Sequence, residues 1–200
     1  MPNIRKQFSK PEGRLGWLVG HLMAFKNRER SEWVLSLLDA RASDHILEIG
    51  FGSGADIRRL SHFVGQVSGV DHSAEMVKMA AKRNATAIAS GGVHLHQASA
   101  DALPFASATF DKAYSINVAQ FFKDPAAIFR EHRRVLKPGA LLAIAVQPRS
   151  KGATEQTAGE TGEKLCHALA DAGFEHVTLH RKPMRPVSTV CAIGYTPVRP

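Results

Sequence analysis

Three glycines at alternating positions carry the strongest chemical signal in this 200-residue chain. Gly50, Gly52 and Gly54 follow the apolar run Ile46–Ile49 and precede the helix-forming segment Ala55–Leu60. Glycine lets the backbone turn sharply and lets a ligand approach where a side chain would otherwise stand. The first N–H groups of the following helix are free to donate to that ligand. The sequence therefore predicts a ligand-binding loop between a buried strand and a helix.

Two classes of ligand fit such a loop. Gly50-x-Gly52-x-x-Ala55 satisfies the dinucleotide pattern, in which a pyrophosphate lies on the helix N-terminus. Glu48, two residues before the first glycine, would repel a pyrophosphate and would suit a ligand that carries an ammonium and a sulfonium group. A tight turn without a ligand is the third interpretation. The position of Glu48 favours the cationic ligand.

The chain resembles the class I S-adenosylmethionine-dependent methyltransferases over most of residues 46–200. Glu48-x-Gly50-x-Gly52-x-Gly54 matches the first motif of that family without a gap, and Val70-Asp71-His72-Ser73 with Met76 resembles the second. The resemblance implies an enzyme that uses S-adenosyl-L-methionine. It also implies that Asp71 binds both ribose hydroxyls, through charge-assisted hydrogen bonds.

The third motif departs from the family pattern. Ala98–Phe105 followed by Phe110-Asp111 resembles it, but Ser99 stands where the family has its adenine-binding aspartate, and Asp101 competes for that role. The cofactor-binding residues that the resemblance implies are Glu48, Gly50, Phe51, Gly52, Gly54, Asp71, His72, Met76, Ser99, Ala100, Asp101 and Asn117.

The methyl acceptor is expected to be a small molecule. Asn117-Val118-Ala119-Gln120 stands where exocyclic-amine nucleic-acid methyltransferases of this class carry an Asn/Asp-Pro-Pro-aromatic motif, so no nucleic acid is expected. Candidate acceptor-contacting residues are Met23, Asn27, Gln120, Phe121 and Gln147. Two alternatives stay open: a phospholipid N-methyltransferase with peripheral membrane contact, and a non-catalytic cofactor-binding partner protein. We assign no catalytic base, because the methyl donor carries its own activation.

Alternating apolar runs and amphipathic segments predict the scaffold that positions these residues. We expect an α/β fold, a Rossmann-like doubly wound seven-stranded sheet that is mostly parallel with an antiparallel terminal strand. The predicted strands are Ile46–Ile49, Val67–Val70, Val93–His96, Ala113–Ile116, Leu141–Val146, His176–Leu179 and Thr189–Tyr195. The last two follow each other closely, which predicts an antiparallel hairpin.

Helical spacing predicts helices over Ser73–Asn84, Pro125–Leu136 and Glu160–Ala172, with a Lys137–Gly139 turn after the second and a loop over Gln147–Gly159 before the third. Residues 14–40 read as two helices separated by the polar cluster Lys26–Arg30. We therefore predict an N-terminal helical lid or cap over residues 1–44, with residues 10–30 covering the acceptor, and a methyltransferase domain over residues 45–200.

Composition restricts the remaining possibilities. A hydrophobic fraction of 44% with 22% charged residues is typical of one globular domain. The net charge of +8 is spread along the chain, with no basic tail. No apolar run reaches the roughly 18 residues of a membrane span, and no signal peptide is recognisable, so the expected location is cytoplasmic. Cys166 and Cys191 lack a CxxC partner, which argues against a disulfide scaffold and a zinc site, and no metal is expected.

Overall fold

Residues 28–198 are described by a computed structural model, and seven strands form one sheet at its centre. The sheet order is β3-β2-β1-β4-β5-β7-β6. The strands are β1 (His45–Ile49), β2 (Gln66–Asp71), β3 (Val93–Gln97), β4 (Phe110–Ile116), β5 (Leu136–Val146), β6 (Glu175–Lys182) and β7 (Thr189–Tyr195). Strands β1 to β5 are parallel, and β7 runs antiparallel to both β5 and β6. The predicted α/β class, the mostly parallel sheet and the terminal hairpin are confirmed.

Helices cover both faces of this sheet. They are α1 (Arg28–Leu37), α2 (Ala55–Leu60), α3 (Ala74–Arg83), α4 (Ala85–Ala89), α5 (Pro125–Val135) and α6 (Glu155–Asp171), with a 3₁₀ turn at Ala119–Phe121. One core contains Leu47, Phe110 and Phe129, and the other contains Val34, Ile46 and Tyr114. Because both faces are buried, the central strands read as continuous apolar runs in the sequence.

Side-chain caps set the starts of three helices, as helix-initiating residues commonly do. Ser73 caps α3 by accepting the Met76 N–H at 3.5 Å, which confirms its predicted role. Asp124 caps α5 in the same way at 3.0 Å. Thr154 and Thr157 form a reciprocal capping box at the start of α6.

That capping box corrects one predicted boundary. Helix α6 begins at Glu155, five residues before the predicted Glu160, so the polar stretch after β5 is a loop only as far as Thr154. Its first turns present Ala158 and Gly162 to the interior. An added Cβ on Gly162 would stand 2.7 Å from Leu179. Because such small residues show no apolar periodicity, the sequence does not predict that α6 starts at Glu155.

Two other predicted boundaries are wrong for related reasons. Strand β5 already begins at Leu136, which pairs with Phe110, so Lys137–Gly139 lies within the strand at a register irregularity and not in a separate turn. Helix α1 already includes Arg28–Arg30, which the sequence predicts to belong to the polar cluster between two helices. Arg30 is polar but 2% exposed, because the fold buries it at the carboxyl end of the sheet.

The predicted lid lies mostly outside the described residues, as do Met23 and Asn27. Within the described part, Val34 and Leu38 of the N-terminal segment are completely buried in the core. The division at residues 44 and 45 stays a prediction. None of the helices within residues 28–198 is both long and apolar enough to cross a membrane.

Candidate functional site

The three loop glycines have different structural roles. Gly50, Gly52 and Gly54 all have positive φ angles, of 79°, 52° and 70°, which L side chains adopt only with strain. A Cβ on Gly50 would stand 2.3 Å from Val118, and one on Gly54 would stand 2.6 Å from the Ala80 Cβ. A Cβ on Gly52 would meet no atom of residues 28–198 within 4 Å. Two glycines therefore permit close packing, and Gly52 alone faces open space.

Hydrogen bonds to the Asp71 carboxylate connect the glycine loop to the end of β2. Its Oδ2 accepts the Gly52 N–H at 2.8 Å, and its Oδ1 accepts the Ser73 N–H at 2.9 Å. Burial raises the pKa of Asp71, against the effect of the Ser73 and Gly52 N–H groups. Each carboxylate oxygen has a second lone pair, so the group can accept further hydrogen bonds from a ligand.

A cavity of about 230 Å³ opens beside this carboxylate. Its lining comes from the ends of four parallel strands, and includes Gly50 after β1, Asp71 and His72 at β2, Ser99 and Ala100 after β3, and Phe121 after β4. Ligands of open α/β sheets bind at this edge. The cavity is smaller than the roughly 300–1,000 Å³ of a complete ligand pocket.

The residues expected to bind the cofactor divide into two groups. Gly50, Asp71, His72, Ser99 and Ala100 are brought together around the cavity. The others, Glu48, Phe51, Gly52, Gly54, Met76, Asp101 and Asn117, do not line it. The Phe51 side chain packs in the core next to Gly69, and Met76 is also buried. Asp101 is exposed.

Glu48 is buried behind the loop, on the opposite face of β1 from Leu47 and Ile49. Its side chain is 4% exposed, and its Oε2 has no hydrogen-bond partner in the described structure. Burial raises the pKa of Glu48 well above its ordinary value, and the neighbouring Asp56 carboxylate raises it further. A buried carboxyl group of this kind gains from a positively charged partner.

A side-chain hydrogen bond of Asn117 connects the segments that follow β4 and β5. This residue has a φ of 58°, and its Oδ1 accepts the Gln147 N–H at 2.8 Å. Gln147 is 2% exposed, whereas Gln120 is exposed and Phe121 keeps 58% of its surface accessible. Of the expected acceptor residues within residues 28–198, which are Gln120, Phe121 and Gln147, only Phe121 lines the cavity.

Sequence reasoning missed two residues that support the cavity. Val118 lines it and fills the space that a side chain at Gly50 would take. His132 of α5 is completely buried and its Nε2 donates to the Ala100 carbonyl oxygen at 3.1 Å. His132 lies 32 residues from Ala100, and no spacing rule links them. Among residues 28–198, no cluster of His, Cys, Asp or Glu could hold a metal ion.

The burial of His132 makes a pH effect on stability testable. Burial lowers its pKa from 6.5 to about 4. The unfolded chain therefore binds a proton on His132 near pH 6.5, whereas the folded chain binds it only near pH 4. Because protonation of His132 favours the unfolded chain, its contribution to the free energy of unfolding is fully present above pH 6.5 and is lost as the pH falls. This difference corresponds to roughly 3 kcal/mol. Urea unfolding of wild type and His132→Gln between pH 7.5 and 4.5 should show a shallower decline for the variant.

His167→Gln is the matched control for this experiment, because His167 is an exposed histidine on α6. This variant should keep the wild-type dependence of unfolding free energy on pH. An equal slope for wild type and His132→Gln would show that His132 titrates normally in the folded protein.

Comparisons with known proteins identify the family to which the chain is similar. Residues 47–144 match the family model of a methyltransferase domain. The uncharacterized methyltransferase YdaC of Bacillus subtilis is 31% identical over 182 residues, covering 90% of this chain and 98% of that protein. Further curated relatives align with 54% to 74% of this chain, which spans 32% to 50% of their own length.

Solved structures share the fold. A chain from the complex between the Haloferax volcanii Trm112 methyltransferase activator and a methyltransferase superposes with a TM-score of 0.76 at 21% identity, covering 89% of this chain and 93% of that chain. A SAM-dependent methyltransferase from Aquifex aeolicus superposes with a TM-score of 0.66 at 24% identity, covering 82% and 88%.

Proposed function

The chain belongs to the class I S-adenosylmethionine-dependent methyltransferases, and we propose that it methylates an oxygen, nitrogen or carbon nucleophile of a small molecule. The observation that supports a small acceptor is the length of two segments beside the cavity. Residues 117–124 between β4 and α5, and residues 147–154 between β5 and α6, are eight residues each. Neither segment is long enough for an inserted acceptor-binding domain. The alternatives of a lipid substrate and of a non-catalytic partner protein gain no support from residues 28–198.

The residues present fit S-adenosylmethionine. Gly52 leaves open space beside the Asp71 carboxylate, and each Asp71 oxygen can accept one more hydrogen bond. Ser99 and Ala100 stand at the cavity wall with a hydroxyl group and a backbone N–H for an adenine ring. Glu48 offers a carboxyl oxygen without a donor to an ammonium group. We propose these roles for all five residues.

S-adenosylmethionine supplies an electrophilic methyl group on a sulfonium, which leaves as a neutral thioether. The chain must hold the acceptor nucleophile about 3–3.5 Å from that carbon and in line with the sulfur. We propose that Gln120, Phe121 and Gln147 do this from the ends of β4 and β5. Met23 and Asn27, with the proposed lid, would complete the site from outside the described residues.

Thermal unfolding with ligands tests the cofactor assignment. S-adenosylmethionine and S-adenosylhomocysteine should both raise the melting temperature, because a ligand that binds only the folded state stabilises it by mass action. At 100 times the dissociation constant, this stabilisation is about 2.7 kcal/mol. NAD at the same concentration should cause no shift. Stabilisation by NAD alone would contradict the proposed function.

Transfer of a labelled methyl group to a mixture of metabolites tests the enzyme assignment separately. A labelled product of low molecular mass is the expected result. Label found only in protein, nucleic acid or lipid would contradict the choice of a small acceptor and leave the cofactor assignment intact.

A further inference from the structure

Helix α5 holds the segment that follows β3 through hydrogen bonds between its side chains and that backbone. The Glu131 Oε1 accepts the Leu103 N–H at 2.9 Å. The Arg134 guanidinium donates to the carbonyl oxygens of Leu103 and Phe105 at 3.1 and 2.8 Å. None of these four residues lines the cavity beside Asp71. Their contacts therefore hold the part of the segment that lies away from the ligand space.

His132 makes the contact of α5 that reaches the cavity wall. Its Nε2 donates to the carbonyl oxygen of Ala100, which lines the cavity, whereas His132 does not. The completely buried ring also packs against Phe122, another lining residue, with the ring centroids 6.2 Å apart. Burial lowers the pKa of His132 to about 4, so the ring is neutral at pH 7. Because a carbonyl oxygen only accepts, the single proton of the neutral ring is on Nε2.

The Ala100 carbonyl belongs to the central peptide of a tight turn. The Ala102 N–H donates to the Ser99 carbonyl oxygen at 3.3 Å, which closes a four-residue turn over residues 99–102. The peptide between Ala100 and Asp101 is trans, so its carbonyl and its N–H point in opposite directions. The carbonyl points to α5, and the Asp101 N–H therefore points away from it. Neither this N–H nor that of Ala100 donates to an acceptor within residues 28–198.

The central peptide of such a turn has two orientations, which differ by a flip of the peptide plane. The reversed orientation needs a positive φ at the third residue, which is Asp101. Asp101 does not have a positive φ, but aspartate adopts one more readily than most residues do. After a flip, the Ala100 carbonyl would point away from α5 and His132 would lose its acceptor. The His132 N–H therefore stabilises the orientation that directs the carbonyl away from the cavity.

We propose that His132 is a positioning residue that makes the cofactor site select adenine. It holds the Ala100 carbonyl out of the cavity, so the central peptide of the turn presents no acceptor to a bound base. Adenine has an acceptor nitrogen at N1, whereas hypoxanthine has an N–H group there and a carbonyl in place of the amino group. A site that offers a donor discriminates strongly against a ligand that lacks the matching acceptor. The inference rests on the proposed function, in which Ser99 and Ala100 bind the adenine ring.

The preference for adenosine over inosine tests this role. The two nucleosides have the same ribose and differ only in the groups at N1 and C6 of the base. Wild type should bind adenosine at least about tenfold more tightly, because inosine leaves a donor of the wall unpaired. His132→Leu removes the Nε2 donor and keeps a buried apolar side chain. The Ala100 carbonyl is then released, so the preference measured by isothermal titration should disappear.

Two further variants separate positioning from a general loosening of the segment. His132→Gln supplies an amide N–H in place of the Nε2 donor and should restore part of the preference. Arg134→Met removes the hydrogen bonds to Leu103 and Phe105 but not the one to Ala100. It should lower the free energy of unfolding and keep the wild-type preference. An equal loss of preference in His132→Leu and Arg134→Met would overturn the proposal.

Two measurements on wild type test the proposal even if His132→Leu does not fold. Nitrogen NMR at pH 7 should show a protonated Nε2 and an unprotonated Nδ1 on His132, and the other tautomer would overturn the proposal. The analogue 1-deazaadenosine, which lacks the N1 acceptor and keeps the amino group, should bind at least about tenfold more weakly than adenosine. Equal binding of these two compounds would overturn the proposal.

The outcome for S-adenosylhomocysteine distinguishes this inference from the proposed function. Wild type that binds neither S-adenosylhomocysteine nor adenosine would overturn the proposed function. Wild type that binds S-adenosylhomocysteine but does not distinguish adenosine from inosine would overturn the role of His132 alone. A folded His132→Leu variant with the full wild-type preference would have the same consequence, because base selection would then be independent of the Nε2 donor.

Discussion

Replacing Gly52 with valine is expected to abolish binding of S-adenosylhomocysteine while the sheet stays folded. Within the described part of the chain, the added side chain meets no atom within 4 Å of its Cβ, so it projects into the space beside Asp71. We propose that the cofactor occupies this space. Isothermal titration should show at least a hundredfold loss of affinity, and circular dichroism should show an unchanged helix and strand content.

Gly91→Val is the matched control for backbone strain. Gly91 has a φ of 78°, and a Cβ there, like one on Gly52, would meet no described atom within 4 Å, but Gly91 lies in the turn before β3. Valine at either position should cost about 1–3 kcal/mol of stability because of the left-handed backbone. Only Gly52→Val should lose the ligand. Normal binding by Gly52→Val would show that this loop is not the cofactor site.

Gly50 and Gly54 are poor choices for the same experiment. A side chain at either position would overlap Val118 or Ala80 at less than 3 Å, so loss of binding would follow from a displaced loop. The sequence motif predicted that all three glycines serve the ligand. It could not distinguish them, because the difference depends on segments that reach the loop from β4 and from α3.

The position of Asp71 could be predicted, since its strand is a short apolar run and parallel strands end at one edge of a sheet. The observed sheet order, in which β2 lies beside β1, places it next to the glycine loop. The start of α6 and the burial of Arg30 could not be predicted in this way. Small residues at the start of α6 show no apolar periodicity, and an arginine in a polar cluster normally stays in solvent.

His132 illustrates the same limit within the candidate site. Its sequence neighbours are polar, and α5 was predicted from its apolar positions alone. The contact with Ala100 exists because α5 packs beneath the segment after β3. Long-range packing of this kind selects the orientation of a backbone carbonyl, and a single sequence contains no local signal for it.

Replacing Asp71 with alanine should lower the affinity for S-adenosylhomocysteine at least tenfold. We propose that this carboxylate accepts both ribose hydroxyls, and each hydrogen bond to a charged acceptor contributes about 1.5–3 kcal/mol, at 1.4 kcal/mol for each factor of ten. The substitution also removes the acceptors of the Gly52 and Ser73 N–H groups. Asp71→Asn keeps one acceptor oxygen and the side-chain shape, so its loss should be intermediate.

A ligand pair isolates the ribose contact from the anchoring of the loop. Wild type should bind adenosine more tightly than 2′-deoxyadenosine, because only adenosine offers two hydroxyl donors to Asp71. Asp71→Ala should bind both nucleosides equally, whatever its effect on the loop. Asp101→Ala removes the exposed competing carboxylate and should keep the wild-type preference. If Asp71→Ala still prefers adenosine as strongly as wild type does, another residue binds the ribose, because the preference would then be independent of the carboxylate.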